Sequence, residues 1–176
     1  MKRILLVLVV ASIFGCNSDE SNDQTDMLDL NLVSGINLRE TADQEPLKLG
    51  NPNIFVNNQF SVFPNPASDV VNVSSQNIIS DIYFLSATAE KIHQDFDFNV
   101  GINSNTYQES TISSLSSLKL NNQDEAILNV DVSNLETGYY RVFIKTNGLL
   151  FWDNFYKLDN QTDSNIQIDN IIDFWN

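Results

Sequence analysis

The side chains that could do chemistry are few, and most occur singly. Cys16 is the only cysteine and His93 the only histidine in 176 residues. Zinc and copper sites draw on clusters of these two residue types, so no such site is expected. A Ser–His–Asp triad would have to use His93, and no Gly-x-Ser-x-Gly turn presents a nucleophile. No glycine-rich phosphate loop is present. Carboxylates are plentiful by contrast. Asp95 and Asp97 stand two apart on one face of a predicted strand, and Asp124-Glu125 mark a loop. Paired acids can serve glycoside hydrolysis or hold Ca²⁺, but EF-hand spacing is missing and a solvated strand face accounts for them. Tyr139-Tyr140 and Phe151-Trp152 could stack on a sugar ring, or could divide between core and surface as strand residues do. The expectation is a non-catalytic chain with no metal and no cofactor.

Cys16 has a chemistry of its own. Met1-Lys2-Arg3 is a short basic start, and Ile4 to Ile13 is apolar except at Ser12. That run is too short to span a bilayer and has the length of a secretory leader's apolar region. It closes on Ser12-Ile13-Phe14-Gly15-Cys16, which resembles a bacterial lipobox, with Phe14 bulkier than the small residue usual there. The resemblance implies that residues 1–15 are a lipoprotein signal peptide and that Cys16 is lipidated, anchoring the chain to a membrane. A lone cysteine with no disulfide partner fits that fate. Each buried CH₂ of an acyl chain contributes about 0.8 kcal/mol, so several chains on one residue make a durable anchor. Asn17 to Asn31 then carries Asp19, Glu20, Asp23, Asp26 and Asp29 with no basic residue. Its start, Cys16-Asn17-Ser18-Asp19-Glu20, resembles the acidic export signal of Bacteroidetes lipoproteins. That resemblance implies the outer membrane and its cell-surface face, although a plain solvated tether has the same composition. Without the lipobox, secretion is the expected fate.

Nine Lys and Arg against 23 Asp and Glu leave a formal charge of −14, and removal of Lys2 and Arg3 with a leader makes the remainder more acidic. Nucleic acid and anionic membrane surfaces demand basic patches, so neither is an expected partner surface. With 42% hydrophobic and 18% charged residues the chain should fold, as one domain with a sizeable core.

The elements follow from hydropathy. Residues 16–53 read as an acidic lipidated tether, punctuated by Gly35, Pro46, Gly50 and Pro52. Within it Met27–Leu38 is apolar enough to dock, as an edge strand or as a sticky tether. Residues 54–158 read as short alternating strands: Phe60–Phe63, Val70–Val73, Asp81–Leu85, Lys91–Val100, Ala126–Val132, Tyr139–Lys145 and Leu149–Leu158. Leu128, Val130 and Val132 oppose Asn129 and Asp131, while Tyr140, Val142 and Ile144 oppose Arg141 and Lys145. Asn147-Gly148 is a two-residue hairpin signal. No convincing helical period occurs in this span, and Ser110–Leu120 is ambiguous. Residues 159–176 form an acidic tail with a short apolar stripe (Ile168, Ile171, Ile172, Trp175) at helical spacing. Asp163, Ser164 or Asp169 could cap it, and an edge strand over Ile166–Ile168 is the alternative.

Three landmarks carry a family resemblance. Phe60-Ser61-Val62-Phe63-Pro64-Asn65-Pro66-Ala67-Ser68-Asp69 is an aromatic, Pro-Asn-Pro block at a strand. Ile82–Leu85 to Glu90–Ile92 reads as a hairpin. Val130–Tyr140 contains Leu135, Gly138 and Tyr140 in a Leu-x-x-Gly-x-Tyr turn and strand. Together with Phe155–Leu158 as a last strand, they resemble the C-terminal sorting domain of type IX secretion cargo. The resemblance implies an all-β fold, an Ig-like antiparallel β-sandwich of about seven or more strands, in which Pro64, Asn65, Pro66, Leu135, Gly138 and Tyr140 are structural. Pro64 and Pro66 lack donors and belong at a strand end or edge, and Gly138 frees a tight turn. The chain departs from the family in three ways. Residues 93–125 are long enough for an extra hairpin, residues 159–176 extend past the last strand, and no large cargo precedes the domain. The expectation is a lipid-anchored envelope or surface protein that displays the sandwich for interaction or structural roles. Its partners would be the membrane through Cys16 and secretion machinery or other envelope proteins. The alternatives are a type IX substrate with the sandwich as its sorting signal, and a small glycan-binding lipoprotein.

Overall fold

The computed structural model describes residues 30–52, 60–91 and 107–176. Its spine is the long strand β5 (Val70–Ala89). The first half of β5 is flanked by β4 (Phe60–Phe63) and β7 (Glu125–Asp131), both antiparallel to it. The second half is flanked by β6 (Leu118–Leu120) and β8 (Gly138–Thr146), and β9 (Leu149–Lys157) lies beyond β8.

The sequence separates Val70–Val73 from Asp81–Leu85, but a bulge joins them in place of a turn. Ile79 faces Thr146 and Asp81 faces Lys145, so Ser80 is the additional residue. One inserted residue shifts the alternation by one. Val71, Val73 and Ile79 point into the core before the bulge, and Ile82 and Phe84 after it. Gln123 N donates to Ser80 O at 2.8 Å and holds the bulge in place.

The two halves of β5 therefore face each other across one apolar core. Phe60, Val62, Val71, Val73, Leu128 and Val130 come from one layer, and Ile82, Phe84, Val142, Ile144 and Phe155 from the other. Each such side chain contributes about 1.5–3 kcal/mol on burial. Phe84 and Phe155 meet edge to face with centroids 5.9 Å apart. The fold is an all-β sandwich, with a seven-stranded sheet and a separate two-stranded one. Among the described strands β1 (Leu32–Val33) runs parallel to the end of β5, with Leu32 opposite Thr88. The β8–β9 hairpin turns at Asn147-Gly148, whose φ angles of 51° and 76° are the left-handed pair such a turn requires.

Two segments differ from expectation, and in a third the structure decides between the alternatives. Residues 30–52 are part of the folded body and not a tether. After β1 they form the hairpin of β2 (Gly35–Leu38) and β3 (Leu47–Gly50), and Val33, Ile36, Leu38 and Leu49 are buried. Gly35 permits the close return of the chain, because a Cβ there would lie 2.4 Å from the Asn51 backbone. Within the ambiguous Ser-rich span lies a short helix, α1 (Glu109–Leu115). Its single buried residue, Ile112, leaves no apolar period to detect. The tail forms α2 (Ser164–Trp175), a 12-residue helix, so the edge-strand alternative fails. Asp163 caps α2 by accepting from Asn165 N at 2.8 Å. The predicted strand over Lys91–Val100 lies outside the described residues apart from Lys91.

These segments cover the outer face of the second layer. Tyr83, Leu85 and Phe143 are buried there under Ile112 of α1. Ala87, Ala89, Tyr139 and Tyr156 lie against Ile36, Leu38, Leu49, Ile171 and Trp175 of the hairpin and α2.

Candidate functional site

The Pro-Asn-Pro block closes the edge of β9. Asn65 is 1% exposed, between cis peptide bonds at Phe63-Pro64 and Asn65-Pro66. Its side-chain amide offers an acceptor and two donors, as a peptide unit and one further donor would. Oδ1 accepts from Tyr156 N at 3.1 Å, and Nδ2 donates to Asn154 O at 2.8 Å. Asn65 thus pairs with β9 as a neighbouring strand would. Nδ2 also donates to Asn37 O at 2.8 Å. The Asn65 backbone exchanges two hydrogen bonds with Arg39, at 2.8 and 2.9 Å. Ala67 carries the pairing on, donating to Tyr156 O at 3.2 Å and accepting from Leu158 N at 2.8 Å. Pro64 and Pro66, which have no N–H to offer, bracket these contacts.

A buried carboxylate adjoins this junction. Asp153 Oδ1 accepts from Asn37 Nδ2 at 3.0 Å and from Asn154 N at 2.8 Å. Burial raises its pKa to about 6, and the two hydrogen bonds and the Arg39 charge oppose that rise without cancelling it. Asn154 Nδ2 donates to Gly35 O at 2.7 Å. Gly35 and Asn37 thus tie the β2–β3 hairpin to β9 by polar contacts, and Arg39 ties it to Asn65.

The second motif forms a corner. Tyr140 is 3% exposed, and its hydroxyl donates to Glu136 O at 2.9 Å. A buried tyrosine that bonds back to the chain a few residues upstream is a known corner of Ig-type sandwiches. Burial pushes the hydroxyl pKa up. Gly138 sits at φ 144° where the chain enters β8, and Leu135 packs against the core. The two motifs meet across β9: Asn65 holds the outer edge at Tyr156, and Tyr140 pairs with the adjacent Phe155 on the inner edge.

Arg141 is the largest departure from the polar strand face expected for it. It is fully buried, with its guanidinium 4.1 Å above the Trp152 ring and Nη2 donating to Leu32 O. Nη1 lies 3.4 Å from the Tyr107 hydroxyl. Beside it, Glu109 of α1 accepts from Lys145 at 2.7 Å and from the Tyr83 hydroxyl at 2.9 Å. The Lys145 bond leads in holding the Glu109 carboxyl below its ordinary value, and the same bond raises Lys145. Burial and then Glu109 push the Tyr83 hydroxyl up. None of these positions stands out in the sequence, because burial here comes from α1 and β1 covering the sheet.

The aromatic candidates sit partly within the packing. Tyr139 meets Tyr156 at 80° and Trp175 at 86°, and Phe174 meets Trp175 at 84°. Edge-to-face rings suit packing, whereas a sugar platform needs a flat face. The face of Trp152 carries Arg141. Asp124 and Glu125 are exposed. A shallow hollow holds Ser68, Asp69, Asp159, Asn160 and Thr162, but its acids are engaged by neighbours. Asn160 donates to Asp69 at 2.7 Å and Thr162 to Asp159 at 2.8 Å. Backbone and side-chain hydrogen bonds from Gln161 and Thr162 hold the Asp159 carboxyl low. Among the described residues no group of three or more His, Cys, Asp or Glu is placed to hold a metal ion, and no helix is long and apolar enough to cross a membrane. Cys16, His93, Asp95 and Asp97 lie outside the described residues.

Compared with protein-family models, curated proteins and solved structures, the chain matches none.

Proposed function

We propose that the protein is a non-catalytic display module, held to the bacterial envelope by lipid on Cys16, with the β-sandwich as its interaction domain. The observation that carries this reading is the apolar run Ile4–Ile13 ending at Gly15-Cys16, the only cysteine, with five acids before Leu30. The surface of the outer membrane is the location that the acidic segment favours. The folded body supports the reading in one respect. Its buried polar groups (Asn65, Asp153, Arg141) are spent on holding strands together, as in a binding scaffold.

A type IX substrate with the sandwich as its sorting signal is the second reading. The Pro-Asn-Pro block and the Leu135–Tyr140 turn favour it, since both landmarks act at the sandwich's edge and corner.

Intact cells labelled with a palmitate analogue and shaved with protease test both. Labelled and shaved protein is the expected result. Protein that is unlabelled and found in the medium overturns the anchor reading. Loss of surface exposure on deleting residues 60–158 would move the sorting reading to first place, and normal display of that truncated lipoprotein would remove it.

A further inference from the structure

We propose that α2 is a strap that holds the β2–β3 hairpin onto the sandwich and can release it while the sandwich stays folded. The hairpin and α2 share an apolar core of their own, made by Ile36, Leu38, Leu49, Ile171 and Trp175 and distinct from the core between the layers. Trp175 is the contact that joins them. A Cβ at Gly50, whose φ is +65°, would lie 2.5 Å from Trp175 Cε3, so the indole rests directly on the hairpin backbone. Trp175 Nε1 donates to the Tyr139 hydroxyl at 3.0 Å, which fastens the same ring to β8.

The strap is set firmly at its own start. Gln167 Oε1 accepts from Asp159 N at 2.8 Å, and its Nε2 donates to Asp159 O and Thr162 O at 2.8 and 2.9 Å. These bonds fix the passage from β9 into α2. The hairpin's other attachments are apolar contacts with Ala87, Ala89, Tyr139 and Tyr156 in the same cluster and hydrogen bonds from Gly35, Asn37 and Arg39 to β9 and Asn65, which water can replace on release. Ile171 and Trp175 of α2 complete this apolar closure, and a unit closed in this way opens as a piece. The consequence rests on the proposed anchor at Cys16. Released together with β1, which pairs with Thr88 and Ala89 at the end of β5, residues 30–52 add roughly 70 Å of possible reach at about 3.3 Å per residue.

Native-state amide exchange of the full chain in low denaturant, read by mass spectrometry, tests the strap. In the wild type, Ile36–Leu38, Leu49 and α2 are expected to exchange through one shared opening, below the opening that exposes β5 and β8. Trp175→Ala is expected to lower protection of β2–β3 by about a hundredfold or more, the scale of losing a buried indole, with β5 and β8 unchanged. Gly50→Ala should reproduce the pattern from the hairpin side. A single opening common to β2–β3, β5 and β8 in the wild type overturns the proposal, even if neither variant folds. So does a Trp175→Ala protein that loosens α2 alone. Exchange reads the same whether or not Cys16 carries lipid. A negative palmitate result therefore removes only the anchor, and a uniform opening removes only the strap.

Discussion

Asn65 makes the sharpest prediction. Replacing it with alanine removes a buried amide that satisfies Tyr156 N–H, Asn154 C=O and Asn37 C=O. Each buried polar group left without a partner costs about 1–3 kcal/mol, with carbonyls at the low end because they retain other ways to accept. The expected loss is about 3–5 kcal/mol, a large share of the 5–15 kcal/mol typical of a domain. At about 2–4 °C per kcal/mol for a chain of this size, the midpoint of thermal unfolding should fall by roughly 10–15 °C. Asn65→Asp separates hydrogen bonding from shape. The carboxylate keeps an acceptor for Tyr156 but faces two carbonyl oxygens with no proton to give. It should be less stable than the alanine variant at pH 7 and should recover towards pH 4, because burial beside carbonyls favours the protonated form. Urea unfolding of the three proteins at both pH values is the assay. An alanine variant within 1 kcal/mol of wild type, or an aspartate variant no worse than alanine at pH 7, would refute the assignment of Asn65 as a surrogate strand for β9.

Asp153→Asn should alter the pH dependence of stability in a defined direction. The folded pKa of about 6 lies above the ordinary value, so the native state holds the extra proton between about pH 4 and 6, and wild-type stability falls as pH rises through that window. The variant should gain about 1–3 kcal/mol on wild type between pH 4 and pH 7, while the loss of the charge facing Arg39 adds an offset that does not vary with pH; a pH-independent difference in urea midpoint would contradict this. Tyr140→Phe removes only the bond to Glu136 O and should cost about 1 kcal/mol in the same urea assay, with the core otherwise retained. Gly148→Ala should cost about 1–2 kcal/mol through the left-handed φ of 76° alone, since a Cβ there meets nothing within 4 Å; a neutral result by calorimetry would show that the turn relaxes.

The strands were legible in the sequence wherever one face was core and the other was water. Leu128 and Val130 are buried between exposed Asn129 and Asp131, as their alternation predicts. The turn at Asn147-Gly148 was legible for the same local reason, because its backbone angles select those residues. The continuity of β5 was not. Ser74 to Asn77 has the composition of a turn, and the distinction between a turn and a bulge lies in partners supplied by β7 and β8 from far along the chain. The hairpin at residues 35–50 was hidden by its glycines and proline and by having only four residues in each strand. At the junction, Pro64-Asn65-Pro66 stood out as a motif, yet its partners Asn37, Arg39 and Asn154 carry no pattern that would single them out. Polar residues brought together by tertiary folding leave no period to read.

One clue spans these covering segments. Strand β8 places Tyr140, Val142 and Ile144 inward, but Phe143 stands on the opposite face with Tyr139 and Arg141. An aromatic out of phase with its strand means a second buried face, and a sandwich layer buried on both faces needs further chain to cover it. The residues ahead of β4 supply β1 and the hairpin, the long segment before β7 supplies α1, and the residues after β9 supply α2. The docked tether, the long central connection and the added tail, which look like separate departures from a simple sandwich, are one structural response to that second face. Arg141 lies beneath this cover, with Leu32 O from the first covering segment and Trp152 from the sheet as its contacts. Docking of β1 buries this charge and supplies the Leu32 carbonyl that offsets part of its desolvation, so β1, and not the hairpin, sets the environment of Arg141.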